Sequence, residues 1–83
     1  MRAYILIETR VSSAASLVAG VRGLDFPPAT TLISAEVVTG PFDVIVVVDT
    51  PELNALVRYV TDRIQLIDGV ERTITCVSLE SSD

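Results

Sequence analysis

The residues of this chain that could do chemistry lie in one predicted hairpin and one predicted strand. Asp43 begins an aliphatic strand directly after the Gly40-Pro41 turn signal, at a place where aspartate is disfavoured. The simplest interpretation is that its carboxylate accepts hydrogen bonds from nearby turn amides. Thr73 and Thr75 are two residues apart, so their hydroxyls project from the same side of a strand and could bond one polar ligand. Threonine is also an ordinary strand residue.

Side chains suited to catalysis are scarce. The chain contains no histidine and no lysine, which removes the commonest general base, the most frequent nitrogen ligand of metals and the amine of Schiff-base enzymes. Glu8, Glu36 and Asp49 resemble solvated strand ends, and no pair of them has a spacing that favours acid–base catalysis. We therefore expect no catalytic residue, no metal site and no cofactor.

Charge and hydropathy exclude two classes of partner. The net charge is −5 and all six cations are arginines, which are not clustered and so oppose a phosphate-binding surface. No apolar run approaches the roughly 20 residues that cross a bilayer, and the chain begins with a strand pattern rather than a signal peptide. We expect a cytoplasmic protein that binds neither nucleic acid nor a membrane.

The sulfur chemistry of the chain is limited to one side chain. Cys76 is the only cysteine, so no internal disulfide can form. Its place between Thr75 and Val77 favours a buried thiol that behaves as a small hydrophobic side chain.

Periodicity and turn signals predict six elements in the order βαββαβ. The predicted strands cover residues 3–8, 31–38, 43–49 and 70–79, and the predicted helices cover residues 11–22 and 51–67. Ser12 or Ser13 can cap the first helix and Gly23 ends it. Thr50 caps the second, which ends before Gly69. Their predicted apolar faces are Val11, Ala14, Ala15, Val18 and Val21 in the first helix, and Leu53, Leu56, Val57, Val60, Ile64 and Ile67 in the second.

This order of elements is that of an α+β, ferredoxin-like sandwich, a single domain spanning residues 1–83 in which both helices cover one face of an antiparallel sheet. The other face would then meet water, and its strands should alternate polar with apolar residues. The run VIVVV at residues 44–48 does not alternate. Because a monomer rarely exposes such a patch, we expect a second copy of the sheet to cover it.

Two segments of the chain resemble one known family. The run VVTGPFDVIVVVDTPELNALVRYV, followed by IDGVERTITCVSL, is similar to the effector-binding (RAM) domain of the Lrp/AsnC family of transcriptional regulators. The motifs that carry the resemblance are the T-G-x-F-D hairpin before an aliphatic strand and the I-x-G-V-x-x-T-x-T final strand. The resemblance covers about half of the chain, from Val37 to Leu79, while the first strand and helix agree only in type.

The resemblance implies a dimeric α/β barrel of two sheets packed face to face, with dimers assembling into rings such as an octamer or decamer. It also implies sites between dimers for an amino acid or a related small-molecule effector. Family regulators carry a helix-turn-helix domain upstream, whereas the first strand here begins beside Met1. We therefore expect a stand-alone sensor, without that domain, that acts alone or co-assembles with a full-length regulator. The DFPPAT loop at residues 25–30 departs from the family in being longer than its usual passage from the first helix to the second strand, so the shape of a neighbouring pocket does not follow from the resemblance.

By the same resemblance, five residues form the predicted ligand site. Asp43 would face the ammonium group of the ligand, and Gly40 would leave room for the ligand's backbone besides serving as a turn glycine. Phe42 would form a wall of the site, although such a ring more often packs in a core or interface. Thr73 and Thr75 would offer hydroxyls.

Two other functions share this architecture. A small dimeric α/β-barrel enzyme, similar to antibiotic-biosynthesis monooxygenases or muconolactone isomerases, has the same barrel, so fold alone does not decide. Such an enzyme needs polar and aromatic groups, often with histidine, converging in a cavity, and this chain has only four aromatic residues. An ACT-like amino-acid-binding domain would differ more in oligomer geometry than in function.

Overall fold

The computed structural model of the chain describes residues 1–79, apart from the side chains of Leu53, Ala55, Tyr59 and Val60. Its elements in chain order are β1 (Arg2–Thr9), α1 (Ala14–Arg22), β2 (Thr31–Val37), β3 (Val44–Asp49), α2 (Leu53–Leu56), a π-helical turn (Val57–Thr61), α3 (Asp62–Gln65) and β4 (Val70–Val77). The four strands form one antiparallel sheet in the order β2-β3-β1-β4. The predicted α+β, ferredoxin-like fold is confirmed.

The core lies between the helices and one face of the sheet, which we call the helix face. Alternate residues of β1 and β3 are fully buried there, because successive side chains of a strand point to opposite faces. Each fully buried valine or isoleucine side chain contributes roughly 1.5 to 3 kcal/mol to folding. The buried apolar set is Ala3, Ile5, Ile7, Val44, Val46 and Val48 from these strands, Ala35 from β2, Leu17, Val18 and Val21 from α1, and Leu56 and Ile64 from α2 and α3.

Helix α1 begins three residues later than predicted. Ser12 has φ 70°, in the left-handed region that a right-handed helix cannot include, so the helix starts only after Ser13. Val11, predicted on its apolar face, lies outside the helix and is 95% exposed. Leu17 takes its place in the core. Gly23 ends the helix as predicted.

The second predicted helix contains a change of period. After α2 the chain forms a π-helical turn and then α3, so that the residues on one face differ from those of a continuous α-helix. Leu56 and Ile64 are fully buried as predicted, whereas Val57 is 40% exposed. The predicted core positions Leu53 and Val60 fall among the side chains that the structure does not describe.

The hydroxyl of Thr50 accepts a hydrogen bond from the Glu52 amide at 3.3 Å, just before the helical segment begins.

No helix within residues 1–79 is long and apolar enough to cross a membrane. The two edges of the sheet are β2, which carries a bulge between Leu32 and Ser34, and β4.

Candidate functional site

Asp43 connects the hairpin between β2 and β3 to the end of β1. The Asp43 amide donates to the Ile7 carbonyl at 2.9 Å, and the Asp43 carboxylate oxygen Oδ2 accepts from the Thr9 amide at 2.8 Å. The carboxylate therefore bonds a backbone amide, as the simpler interpretation of Asp43 has it, but the amide belongs to β1 rather than to the turn. In residues 1–79 no hydrogen-bond donor is assigned to its other oxygen, Oδ1, which is the atom available to a ligand.

Gly40 forms the tip of this hairpin. Its φ of 140° lies in a region that side-chain-bearing residues rarely adopt. Apart from its neighbours in the chain, no atom lies within 4 Å of the position that a Cβ would occupy. The conformation rather than crowding therefore requires glycine here, and the space beside the hairpin is open.

Phe42 supports a cation that sequence reasoning missed. The guanidinium carbon of Arg72 lies 5.8 Å from the centre of the Phe42 ring, within the range of a cation–π contact. Arg72 Nη2 also donates to Glu8 Oε2 at 3.3 Å, across the directly paired strands β4 and β1. The signal available in the sequence was alternation, since Arg72 must lie on the opposite face from its neighbour Thr73.

Thr73 and Thr75 lie on the helix face of β4. They pair with Ile7 and Ile5, which are fully buried there. Gln65 of α3 donates to the Thr73 hydroxyl at 3.3 Å. Strand β1 separates them from the hairpin, a backbone distance of about 10 Å for two strand spacings. Within one chain the structure brings together Gly40, Phe42 and Asp43 but does not bring Thr73 and Thr75 to them.

The face of the sheet turned away from the helices, which we call the free face, is apolar at its centre. Its central residues pair across β3, β1 and β4 in two rows. The side chains of Leu6, Ile45 and Val47 are half-buried. Those of Tyr4, Ile74 and Cys76 are more exposed. The rows consist of Ile45, Leu6 and Ile74, and of Val47, Tyr4 and Cys76.

The sequence predicts a buried thiol at Cys76, and this prediction is wrong. The Cys76 thiol is exposed. Its paired residue is Tyr4, which projects from the free face, and β4 is an edge strand. The apolar neighbours in sequence therefore indicated the composition of the strand but not which face the thiol occupies.

Each end of the free face carries an ion pair, and the two pairs differ in geometry. At the end formed by Arg2 and Asp49, the guanidinium donates from Nε to Oδ1 at 2.9 Å and from Nη2 to Oδ2 at 3.0 Å. This hydrogen bonding lowers the pKa of Asp49 and raises the pKa of Arg2. At the hairpin end, Arg72 makes one longer contact with Glu8, at 3.3 Å. Only the first pair occupies the guanidinium fork through two nitrogens.

The loop before α1 and the loop before β4 close the same end of the sheet as the hairpin. Arg10 bonds the Gly69 carbonyl through its amide at 2.8 Å and the Asp68 carboxylate through Nη2 at 2.7 Å. Gly69 has φ 99°, and a Cβ on it would lie 2.6 Å from the Cβ of Ser13. The backbone of this loop thus approaches α1 as only glycine allows. Within residues 1–79 no three His, Cys, Asp or Glu side chains are grouped as a metal site.

The sequence matches one family model. The model of the Lrp/AsnC ligand binding domain matches residues 30–82, which is more than half of the chain. That segment includes the hairpin, Arg72 and both threonines of β4. No curated protein matches this chain.

Solved structures share the fold over nearly the whole chain. A Thermus thermophilus protein, TTHA0845, is 28% identical with a TM-score of 0.80, and the match covers 99% of this chain and 96% of that one. AsnC of E. coli is 23% identical with a TM-score of 0.79, covering 99% of this chain and 52% of AsnC. The Neisseria meningitidis transcriptional regulator NMB0573, solved as a complex with L-Met, is 23% identical with a TM-score of 0.73, covering 99% and 51%. This chain thus spans about half the length of the two named regulators.

Proposed function

Because the chain belongs to the Lrp/AsnC ligand binding domain family, we propose that residues 1–83 form one non-catalytic regulatory module that binds an amino acid or a related small metabolite. The observation that carries the proposal is the hairpin at residues 40–43, where an available carboxylate oxygen, an aromatic ring and open space lie together. A transcriptional regulator of the same fold, NMB0573, has been solved with L-Met.

The module assembles through its free face. Six apolar or thiol-bearing side chains form two continuous rows there. If another sheet covers them, each Å² of apolar surface removed from water stabilises the assembly by about 25 cal/mol. A second copy is the simplest partner, because one two-fold axis brings identical faces together. Beyond the apolar rows, each end of the face carries an ion pair, so neither end presents charges of a single sign.

The ligand site lies between subunits. Thr73 and Thr75 are separated from the hairpin by β1 within one chain, but β4 is an edge strand that a neighbouring hairpin can approach. In this arrangement Asp43 Oδ1 accepts from the ligand ammonium, and the neighbour's β4 offers threonine hydroxyls. Dimers then assemble into rings, octameric or decameric, with one such site at each contact between dimers. The module acts alone or in co-assembly with a full-length regulator, and it does not bind DNA by itself.

Titration calorimetry of the wild-type chain against the twenty amino acids tests the ligand proposal. Asp43→Asn is the informative variant, because an amide oxygen can still accept from Thr9 while the negative charge is lost. A hydrogen bond to a charged group contributes roughly 1.5 to 3 kcal/mol, so affinity should fall about ten- to a hundredfold. Thr75→Val should have a smaller effect.

The outcomes separate the site from the fold. Asp62→Asn, a change in an exposed carboxylate on α3, is the control and should leave affinity unchanged. If no amino acid binds the wild type, amino acids are not the effectors of this module. If Asp43→Asn binds as tightly as the wild type, the assignment of Asp43 is wrong.

A further inference from the structure

We propose that Arg72 binds a carboxylate group of the effector, and that this contact makes a carboxylate a requirement for binding. The inference rests on the proposed function, which assigns an effector site to the hairpin, and it adds a residue of opposite charge to that site. It identifies the effector class as metabolites bearing both a carboxylate and, facing Asp43, a cationic nitrogen.

The guanidinium of Arg72 has room for a second anion. Only Nη2 is engaged, by Glu8 Oε2 at 3.3 Å, and within residues 1–79 no acceptor is assigned to its Nε or Nη1. Arg2 provides the contrast, since Asp49 bonds it through two nitrogens at 2.9 and 3.0 Å. A guanidinium presents a planar fork that fits a carboxylate through two parallel hydrogen bonds. Glu8 takes a single hydrogen bond from Arg72, so one edge of this guanidinium remains for a carboxylate. The difference from Arg2 is that Arg2 already binds a carboxylate through two nitrogens.

The Phe42 ring holds the Arg72 guanidinium beside the hairpin. The guanidinium carbon lies 5.8 Å from the ring centre, and stacking on an aromatic ring reduces the conformational freedom that a long side chain would otherwise lose on binding. Phe42 is the residue directly before Asp43. The Arg72 guanidinium, on β4, and the available Asp43 oxygen, in the hairpin, therefore both lie beside Phe42.

The charges around the hairpin match a zwitterion. Asp43 and Glu8 are acidic and Arg72 is basic, so a ligand carboxylate is attracted to the guanidinium while a ligand ammonium is attracted to the carboxylates. Glu8 bonds one nitrogen of Arg72 across β1, while the Arg72 side chain stays 60% exposed and accessible to a ligand. A neutral or purely cationic metabolite would leave the guanidinium without its second anion and would bind less tightly.

The experiment compares matched ligands rather than affinity alone. Wild type, Arg72→Gln and Arg72→Lys are titrated with the amino acid that binds best, with its carboxamide, and with a panel of 2-oxo and other short monocarboxylates. In the wild type the amino acid should bind about ten- to a hundredfold more tightly than its carboxamide, the range expected for hydrogen bonds to a charged group. Arg72→Gln should bind both equally weakly, and Arg72→Lys should recover part of the preference because it restores charge without the fork. Arg2→Gln is the control and should keep the wild-type preference.

Each outcome decides the proposal. If an amino acid binds but Arg72→Gln retains both wild-type affinity and the preference for the carboxylate, Arg72 is not the carboxylate-binding residue, while the sensing function stands. If no amino acid binds but a monocarboxylate binds in an Arg72-dependent manner, the role of Arg72 stands and the ammonium contact of Asp43 is wrong. If no carboxylate of the panel binds the wild type, both proposals are wrong.

Discussion

The two faces of the sheet are built from similar side chains but have different surroundings. On the helix face, Ile5 and Val46 are fully buried by the chain's own helices. On the free face, their neighbours Leu6 and Ile45 are only half-buried by the described residues. Hydrophobicity alone therefore does not tell whether a strand residue stabilises the fold or an assembly, because the same aliphatic side chain can do either. Substitutions on adjacent residues of β1 separate the two roles.

The largest effect is expected on the helix face. Ile5→Ala removes a fully buried side chain, and such truncations cost about 2 to 5 kcal/mol of unfolding free energy. Urea denaturation followed by circular dichroism measures it. Because native proteins have a total stability of only about 5 to 15 kcal/mol, this loss should remove a large fraction of the stability of the fold. A loss below about 1 kcal/mol would contradict the description of this face as the core.

The adjacent residue should affect assembly more than folding. Leu6→Asp places a charge in the middle of the free face, and burying an unpaired charge is strongly unfavourable. We expect the variant to stay folded and to shift to the monomer mass in light scattering at micromolar concentration. Val11→Asp is the matched control, since Val11 is 95% exposed in a loop and should leave the mass unchanged. If wild type and Leu6→Asp have the same mass, the free face does not mediate assembly.

The exposed thiol reports on the same face without a substitution. Cys76 lies in the row with Tyr4 and Val47, so covering that row should block the access of a thiol reagent. We expect its labelling rate to fall at least about tenfold as the protein concentration rises above the dissociation constant of the dimer, in proportion to the uncovered fraction. Leu6→Asp should label rapidly at every concentration. A rate that is independent of concentration in the wild type would contradict burial of this row.

The sequence was most informative about the fold where its periodicity was unambiguous. The order of elements and the turn at Gly40 follow from local patterns, and the core positions Leu56 and Ile64 follow from helical spacing. The run VIVVV did not reveal which of its residues face the helices, because a strand that is apolar on both faces has no alternation to read. The same uniformity concealed the exposure of Cys76, whose face is set by its pairing with Tyr4.

Two local features could not be read from the sequence because they depend on tertiary packing. The residues of the π-helical turn at Val57–Thr61 are as compatible with an ordinary α-helix as their neighbours are. The late start of α1 depends on the left-handed conformation of Ser12. At the candidate site, residue type singled out Asp43, and the family resemblance added Phe42. The contact that adds Arg72 depends on the register between β1 and β4, which brings together residues far apart in the chain.

The smallest expected effect is at the end of the free face that lacks the hairpin. Arg2 lowers the pKa of Asp49 from its ordinary value of 3.8, mainly by hydrogen bonding. Since the folded-state pKa lies below the unfolded one, the pair contributes stability above the unfolded pKa and loses it as the pH falls through the folded pKa. Urea midpoints between about pH 5 and pH 2 should therefore fall less steeply for Asp49→Asn than for the wild type. The difference should be small and should shrink further in high salt, because both side chains are substantially exposed. Arg2→Gln should produce the same flattening, and the double variant should add nothing to it. An equally steep acid transition in Asp49→Asn would mean that this ion pair does not contribute to the acid stability of the fold.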